Sequence, residues 1–447
     1  MPEPEGEHLI RIGGAESTWV GASARPMFER VIPSEPWTPN LERLYSVMAA
    51  RGLDGLVVLL QQNVQYLAGY TSPNTGIRHH TEPAGAVVVS RREPDHPVMI
   101  MEAVDISHNL AHPSWIRDVR AYFTHLLPPD VPRDRLAFDR FARPAVKETE
   151  WGRRARETVA DTLANALKPV LAELGLDKAT IGFDNMTLAP ALSPPDASVV
   201  DAYGAMKFIR QIKTPAEIER LRRAARLNEI AIENTVASWS SGMTWFEINH
   251  IYDLNCIALG GWVQYGGGIA LSNADSEPDH PVFHPQYETE DFPIEQGTNI
   301  MLDCHGQLDG YRWDGGKTWI VDDERQGAKL KIQRACEEAS LAVLDALRPG
   351  IRVHELQMIG REVFRKLNVP EADLALVFFH GMGLDHTDIE IRGSSATANW
   401  SVEENMTLAT HIAYPGDART RYYLEDVGLV TPSGGESLFT WDIAPHH

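Results

Sequence analysis

The sequence is short of cysteine, of positive charge and of long apolar runs, and each shortage removes a class of protein. Its 447 residues include three cysteines, Cys256, Cys304 and Cys336, with no CxxC spacing. An odd count without paired spacing argues against a disulfide framework and for a reducing, cytoplasmic compartment. Lys and Arg number 41 against 62 Asp and Glu, a formal net charge of −21. A field of that sign repels nucleic-acid backbones and anionic membrane surfaces. No stretch reaches the roughly 18 consecutive apolar residues of a membrane span. The opening segment, MPEPEGEHLI, has neither the basic nor the apolar region of a secretory signal. Three catalytic signatures are missing too. There is no GxSxG elbow and no HExxH, and the glycine-rich GGGIA (266–270) lacks the lysine of a phosphate-binding loop.

What is present is enough apolar residue, 43%, for a sizeable core. At roughly 150 residues per domain the length suggests two or three domains. Residues 1–36, rich in Pro, Gly, Glu and Ser, read as an irregular arm. Leu41, Leu44, Val47 and Met48 follow helical spacing, with Gly52 placed as a stop. The runs GLVVLL (55–60), AGAVVVS (84–90), PVMIMEAVD (97–105) and TIGFD (180–184) read as strands, and Thr158–Leu174 as a helix. Helices alternating with strands predict an α/β domain over 37–212.

The pattern changes near Lys213. Thr214-Pro215-Ala216-Glu217 is a capping box with proline at the first helical position, and Thr244-Trp245-Phe246-Glu247 is a second box. A similar helix pair recurs at about 328–347 and 353–367. Short strands are expected at 299–303, 317–321, 406–414 and 421–430. Two helices followed by strands, twice over, predict an internally duplicated α+β domain over 213–447.

Four segments of that second domain concentrate metal-ligand residue types. LDCHGQLDGYRWDGGKTW carries Asp303 and, eleven positions on, Asp314. FFHGMGLDH carries His380, Asp385 and His386; LATHIAYPG carries His411; YLEDVGLV carries Glu425. Carboxylates and imidazole together suit divalent Mn, Fe, Co or Zn. Glu425 and Asp303 interrupt or end apolar strand runs, where an unpaired carboxylate is costly.

The order of these segments resembles the pita-bread metallohydrolase superfamily, which includes Xaa-Pro peptidases and prolidases, creatinase, ectoine hydrolase and the lyase that cleaves dimethylsulfoniopropionate. The likeness covers about 213–435, and GLDGLVVLLQQNVQYLAGY (52–70) is similar to the creatinase-type domain that precedes that fold. It implies a creatinase-type α/β domain followed by a pita-bread α+β catalytic domain, assembled as a homodimer. It implies one or two divalent transition metal ions held by Asp303, Asp314, His380 and Glu425. The family's remaining glutamate falls on His411, which removes one negative charge from the ligand set and favours one tightly held ion. His284 matches the histidine that contacts substrate ahead of the first aspartate, with His280 as the alternative. His386 stands six positions after His380, one fewer than in the peptidases, and with Asp385 is a candidate acid or base. Arg78, His79 and His80, from a partner subunit, and Tyr414 are candidate substrate contacts. The implied activity is metal-dependent hydrolysis of a C–N bond in a small amide or dipeptide-like molecule. A dimethylsulfoniopropionate-type lyase is the alternative. An ordinary Xaa-Pro peptidase and a metal-free binding module rank below both.

Overall fold

The computed structural model describes residues 37, 39–72, 83–124, 127–263, 270–272, 291, 293–294, 296, 299–321, 328–390, 399–415 and 421–440. The arm expected over 1–36 lies outside these residues, as do Arg78, His79, His80, His280 and His284. The first half is built on β1 (Gly55–Val58), β2 (Gly85–Ser90), β3 (Val98–Glu102), β4 (Asp118–Tyr122), β5 (Thr180–Phe183) and β6 (Ser198–Asp201). They form one sheet in the order β4-β3-β2-β1-β5-β6. β1, β2 and β3 are buried throughout, so their sequences read as near-continuous apolar runs rather than as alternation. Helix Leu41–Ala50 turns Leu44, Val47 and Met48 to one core. Helix Leu163–Glu173 covers the other face with Ala166, Leu167, Val170 and Leu171.

This helix starts later than its periodicity predicts. The Thr162 side chain accepts from Asn165 N and caps it, while Ala160, upstream, bridges to Tyr122 at the end of β4. The helix Gln61–Ala68 was not expected, because Gln61, Gln62 and Asn63 mask its apolar face.

The second half contains β7 (Trp262–Val263), β8 (Ala270–Ser272), β9 (Asn299–Leu302), β10 (Gly306–Leu308), β11 (Tyr311–Trp313), β12 (Gly316–Ile320), β13 (Leu376–Gly381), β14 (Thr407–Tyr414), β15 (Tyr422–Thr431) and β16 (Gly434–Ser437). The larger sheet runs β13-β14-β15-β12-β9-β8, with β16 also paired to β15. The two capping boxes open helices Pro215–Ser238 and Trp245–Ala258 as expected. The second helix pair is Ala328–Ala346 and Val353–Lys366. β13 is not announced by periodicity, since its apolar run is short and dissolves into glycines.

Strand alternation sorts this sheet cleanly. Ile300, Leu302 and Trp319 pack with the first helix pair, and Val377, Leu408, Ile412 and Leu424 with the second. Their neighbours on the opposite face include Met301, Phe378, His380, His411, Ala413, Tyr423 and Glu425. Both helix pairs therefore take one face, and the polar residues share the other. The two halves of the chain also share a core, in which Leu44, Met206 and Ile209 join Tyr311, Met382 and Leu384. No helix among the described residues is long and apolar enough to cross a membrane.

Two stability predictions follow from this packing. A Cβ at Gly316 would lie 1.9 Å from the Leu302 carbonyl oxygen, and backbone cannot rotate aside. Gly316→Ala should therefore cost roughly 1–3 kcal/mol, read as a lower urea midpoint. Buried Glu217 accepts from Thr214 N at 2.9 Å and from the Tyr311 hydroxyl at 3.2 Å. Burial, against the pull of Lys213, pushes its carboxyl up to about 7. The folded state then holds a proton that the unfolded chain releases near its ordinary value of about 4.3, so this group's contribution falls as pH rises from there through about 7. Glu217→Gln, which keeps an acceptor but does not ionise, should gain on the parent protein over that window. An unchanged difference in unfolding free energy between pH 5 and pH 8 would contradict this.

Candidate metal centre

The polar face of the sheet brings His380, His411 and Glu425 together by register, and Asp303 and Asp314 join them from adjoining turns. His411 on β14 lies directly opposite Glu425 on β15, and Phe378 on β13 lies opposite His411. His380 follows Phe378 by two positions and so shares its face. Asp314 enters from the turn between β11 and β12, and Asp303 from the end of β9. Ligand atoms of Asp314, His380, His411 and Glu425 all lie within 4.8 Å of one another. A second group, Asp303, His305 and Asp314, meets the same limit and shares Asp314 with the first.

Asp314 is the hub. Its Oδ2 stands 3.3 Å from both His380 Nε2 and His386 Nδ1, and its Oδ1 is 3.9 Å from His305 Nδ1. Neither oxygen has a hydrogen-bond partner, although Asp314 is buried. Glu425 Oε1 and His411 Nε2 approach to 3.0 Å, yet Oε1 too lacks a hydrogen bond. Leaving such atoms unpaired in a low-dielectric site is costly. A divalent cation is the partner that would satisfy them together, so the donor set fits a metal. The other edges of the site are held. His380 Nδ1 faces the Gly381 carbonyl at 3.2 Å, which places the proton there and frees Nε2. The Tyr423 hydroxyl donates to Glu425 Oε2.

The electrostatics carry the same message. Burial, then repulsion from Asp314, pushes the Asp303 carboxyl above the usual carboxylate range. Burial, Asp314 and Asp303 together push Glu425 well above the usual range. For Asp314 burial acts upward too, but His380 outweighs it and holds the carboxyl low. Burial, aided by His380, pushes His411 down to about 3, so its imidazole is neutral and able to coordinate. His386 is also lowered by burial, while its side chain stays 43% exposed at the rim of the cluster.

The expected residues thus divide. Asp303, Asp314, His380, His411, Glu425 and His386 are brought together. Asp385 is not: its carboxylate accepts from Arg210 at 2.6 Å. Tyr414 is not either. It sits three positions from His411, on the opposite face, where its ring stacks on Phe364 and its hydroxyl donates to Pro370 at 2.7 Å. His284, Arg78, His79 and His80 lie outside the described residues. His305 was missed; it lies two positions after Asp303 in the segment that joins β9 to β10. Phe378, stacked on His411 with ring centroids 4.1 Å apart, was missed as well.

Comparison with known proteins gives this geometry a context. The model of metallopeptidase family M24 matches residues 219–432, and that of the creatinase/prolidase N-terminal domain matches residues 40–212. An uncharacterized peptidase of Staphylococcus saprophyticus is 25% identical over 289 residues, 60% of this chain and 76% of its own. The X-Pro aminopeptidase from Thermotoga maritima superposes with a TM-score of 0.63 at 16% identity, over 91% of this chain and 99% of its own. The Xaa-Pro dipeptidase from Bacillus anthracis gives 0.64 at 18%, over 90% and 97%. At these identities the two structures show a common fold.

If the orphaned donors bind a cation, adding one should stabilise the protein. At a free concentration of 100 times Kd the gain is about 2.7 kcal/mol, visible as a raised Tm. Asp314→Asn should abolish both the shift and the bound Co(II) measured by elemental analysis. Equal Co(II) content in the variant would contradict the assignment.

Proposed function

The chain belongs to metallopeptidase family M24, with a creatinase/prolidase N-terminal domain, and from that premise we propose that it hydrolyses a C–N bond in a small amide or dipeptide-like molecule. The observation that carries the reading is the buried, orphaned donor set around Asp314. The family implies divalent metal ions. We assign Asp314, His380, His411 and Glu425 to one ion and Asp303, His305 and Asp314 to a second, weaker site. Two or three imidazoles in the donor set favour Fe, Co, Zn or Mn over Mg. Such an ion supplies Lewis-acid polarisation of the scissile carbonyl and a water acidic enough to attack near neutral pH.

The chain's own residues do the rest. His386, neutral and reachable from outside, takes the proton of the attacking water and returns it to the leaving nitrogen. Phe378 covers one face of His411 and keeps it dry, which maintains the neutral imidazole. The related structures named for X-Pro and Xaa-Pro substrates favour a dipeptide-like amide. His411 in place of a glutamate, with the short spacing to His386, favours a specialised substrate over the general Xaa-Pro range. A homodimer, in which Arg78, His79 and His80 of one subunit approach the other's site together with its His284, completes the reading. So do the division of the chain at residues 212 and 213 and a cytoplasmic location, which suits the three buried free cysteines.

The test is product analysis of the Co(II)-loaded protein with Xaa-Pro dipeptides, cyclic amides and dimethylsulfoniopropionate. Incorporation of labelled water into a released carboxylate is the expected result; an alkene formed without water uptake would identify a lyase instead. His386→Ala should lower kcat by roughly 10²–10⁴-fold while metal content stays unchanged. A kcat equal to that of the parent would remove His386 from the mechanism.

A further inference from the structure

We propose that Arg210 is the positioning residue for His386, and that it refers the site to the N-terminal sheet. The inference rests on the role given to His386 above. His386 lies on a tight loop after β13, and the carboxylates on either side of it, Asp385 and Asp388, are both bound by one guanidinium. Arg210 Nη2 donates to Asp385 Oδ2 at 2.6 Å and to Asp388 Oδ1 at 2.7 Å, and Nε reaches the same Oδ1 at 3.1 Å. Tying positions 385 and 388 to one planar fork fixes the backbone between them, which carries the imidazole.

The rest of the loop is pinned as closely. Asp388 N donates to the Gly381 carbonyl at 2.8 Å, and Arg312 N to that of Gly383 at 2.8 Å. Lys207 Nζ donates to the Thr387 carbonyl at 2.8 Å. Lys213 Nζ approaches Asp388 Oδ2 to 3.2 Å, and the Leu384 N–H donates to that same oxygen at 3.2 Å. A Cβ at Gly383 would stand 2.2 Å from Asp388 Oδ2 and 2.7 Å from Lys213 Nζ. The second glycine of the HGMG segment is therefore required by the clamp behind it.

Arg210 is 1% exposed and also looks the other way. Its Nη1 donates to Asn63 Oδ1. Asn63 Nδ2 donates to Asp184 Oδ2 at 2.7 Å, and Asp184 accepts from Leu59 N at 2.8 Å and Leu60 N at 3.0 Å. The chain of contacts runs from the ends of β1 and β5 through Arg210 to the loop that holds His386 3.3 Å from Asp314. An ion cluster this deeply buried is a weak source of net stability, so what it supplies is geometry.

Arg210→Lys, which cannot span both carboxylates, and the milder Asp385→Asn test the proposal in the full-length Co(II)-loaded protein. Both should lower kcat about tenfold to a hundredfold on whichever substrate the parent hydrolyses, with KM and Co(II) content little changed. In a His386→Ala background neither should lower it further. A second readout needs no substrate: carbethoxylation of His386 by diethyl pyrocarbonate, followed by mass spectrometry of its peptide. The rate should rise several-fold in both variants, as the imidazole leaves Asp314. If the parent hydrolyses nothing tested but this rate rises, the hydrolase reading fails and the clamp stands. An unchanged modification rate in both folded variants would overturn it, as would an equal loss of kcat with and without His386.

Discussion

Like charges buried side by side are the constraint on which the rest of this structure depends. Asp303, Asp314 and Glu425 converge on one face of the C-terminal sheet, and several of their oxygens have no hydrogen bond. Such a cluster is unfavourable until a cation neutralises it. The surrounding imidazoles offset part of the charge, and only His380 is shifted towards its protonated form. His411, pushed down to about 3 mainly by burial, offers a lone pair instead.

The architecture is what makes this convergence possible. Both helix pairs bury one face of the sheet, so alternation sends every second side chain of β13, β14 and β15 to the other. The register then places His411 against Glu425 and Phe378 against His411 without any loop having to reach. Asp314 comes from the short turn between β11 and β12, and His386 from the loop after β13, which is held from behind by Arg210 and Lys213. Precision comes from strands where strands suffice and from a buried charge fork where they do not.

Much of this was legible in the sequence. The two capping boxes fixed helix starts, because Thr214 and Thr244 each precede a glutamate by three residues. Glu425 betrayed itself as a carboxylate inside an apolar run. The order of Asp303, Asp314, His380 and Glu425 carried the family resemblance. Other features were out of reach. The Arg210 clamp joins residues about 175 positions apart, and no local pattern records that. Tyr414 was misread although strand parity, three positions from His411, already set it on the far face. His305 lies between two strands and is a lone histidine, a residue type that is commonly structural. Arg78, His79, His80 and His284, proposed as substrate contacts, fall outside the described residues.

The central claim, that these buried donors are a metal site with His411 in it, is tested most directly by X-ray absorption at the cobalt edge. The Co(II)-loaded protein should show a mixed nitrogen and oxygen shell with the outer-shell scattering of imidazole, diminished in His411→Ala. A shell of oxygen alone, or a spectrum identical in the variant, would contradict the account.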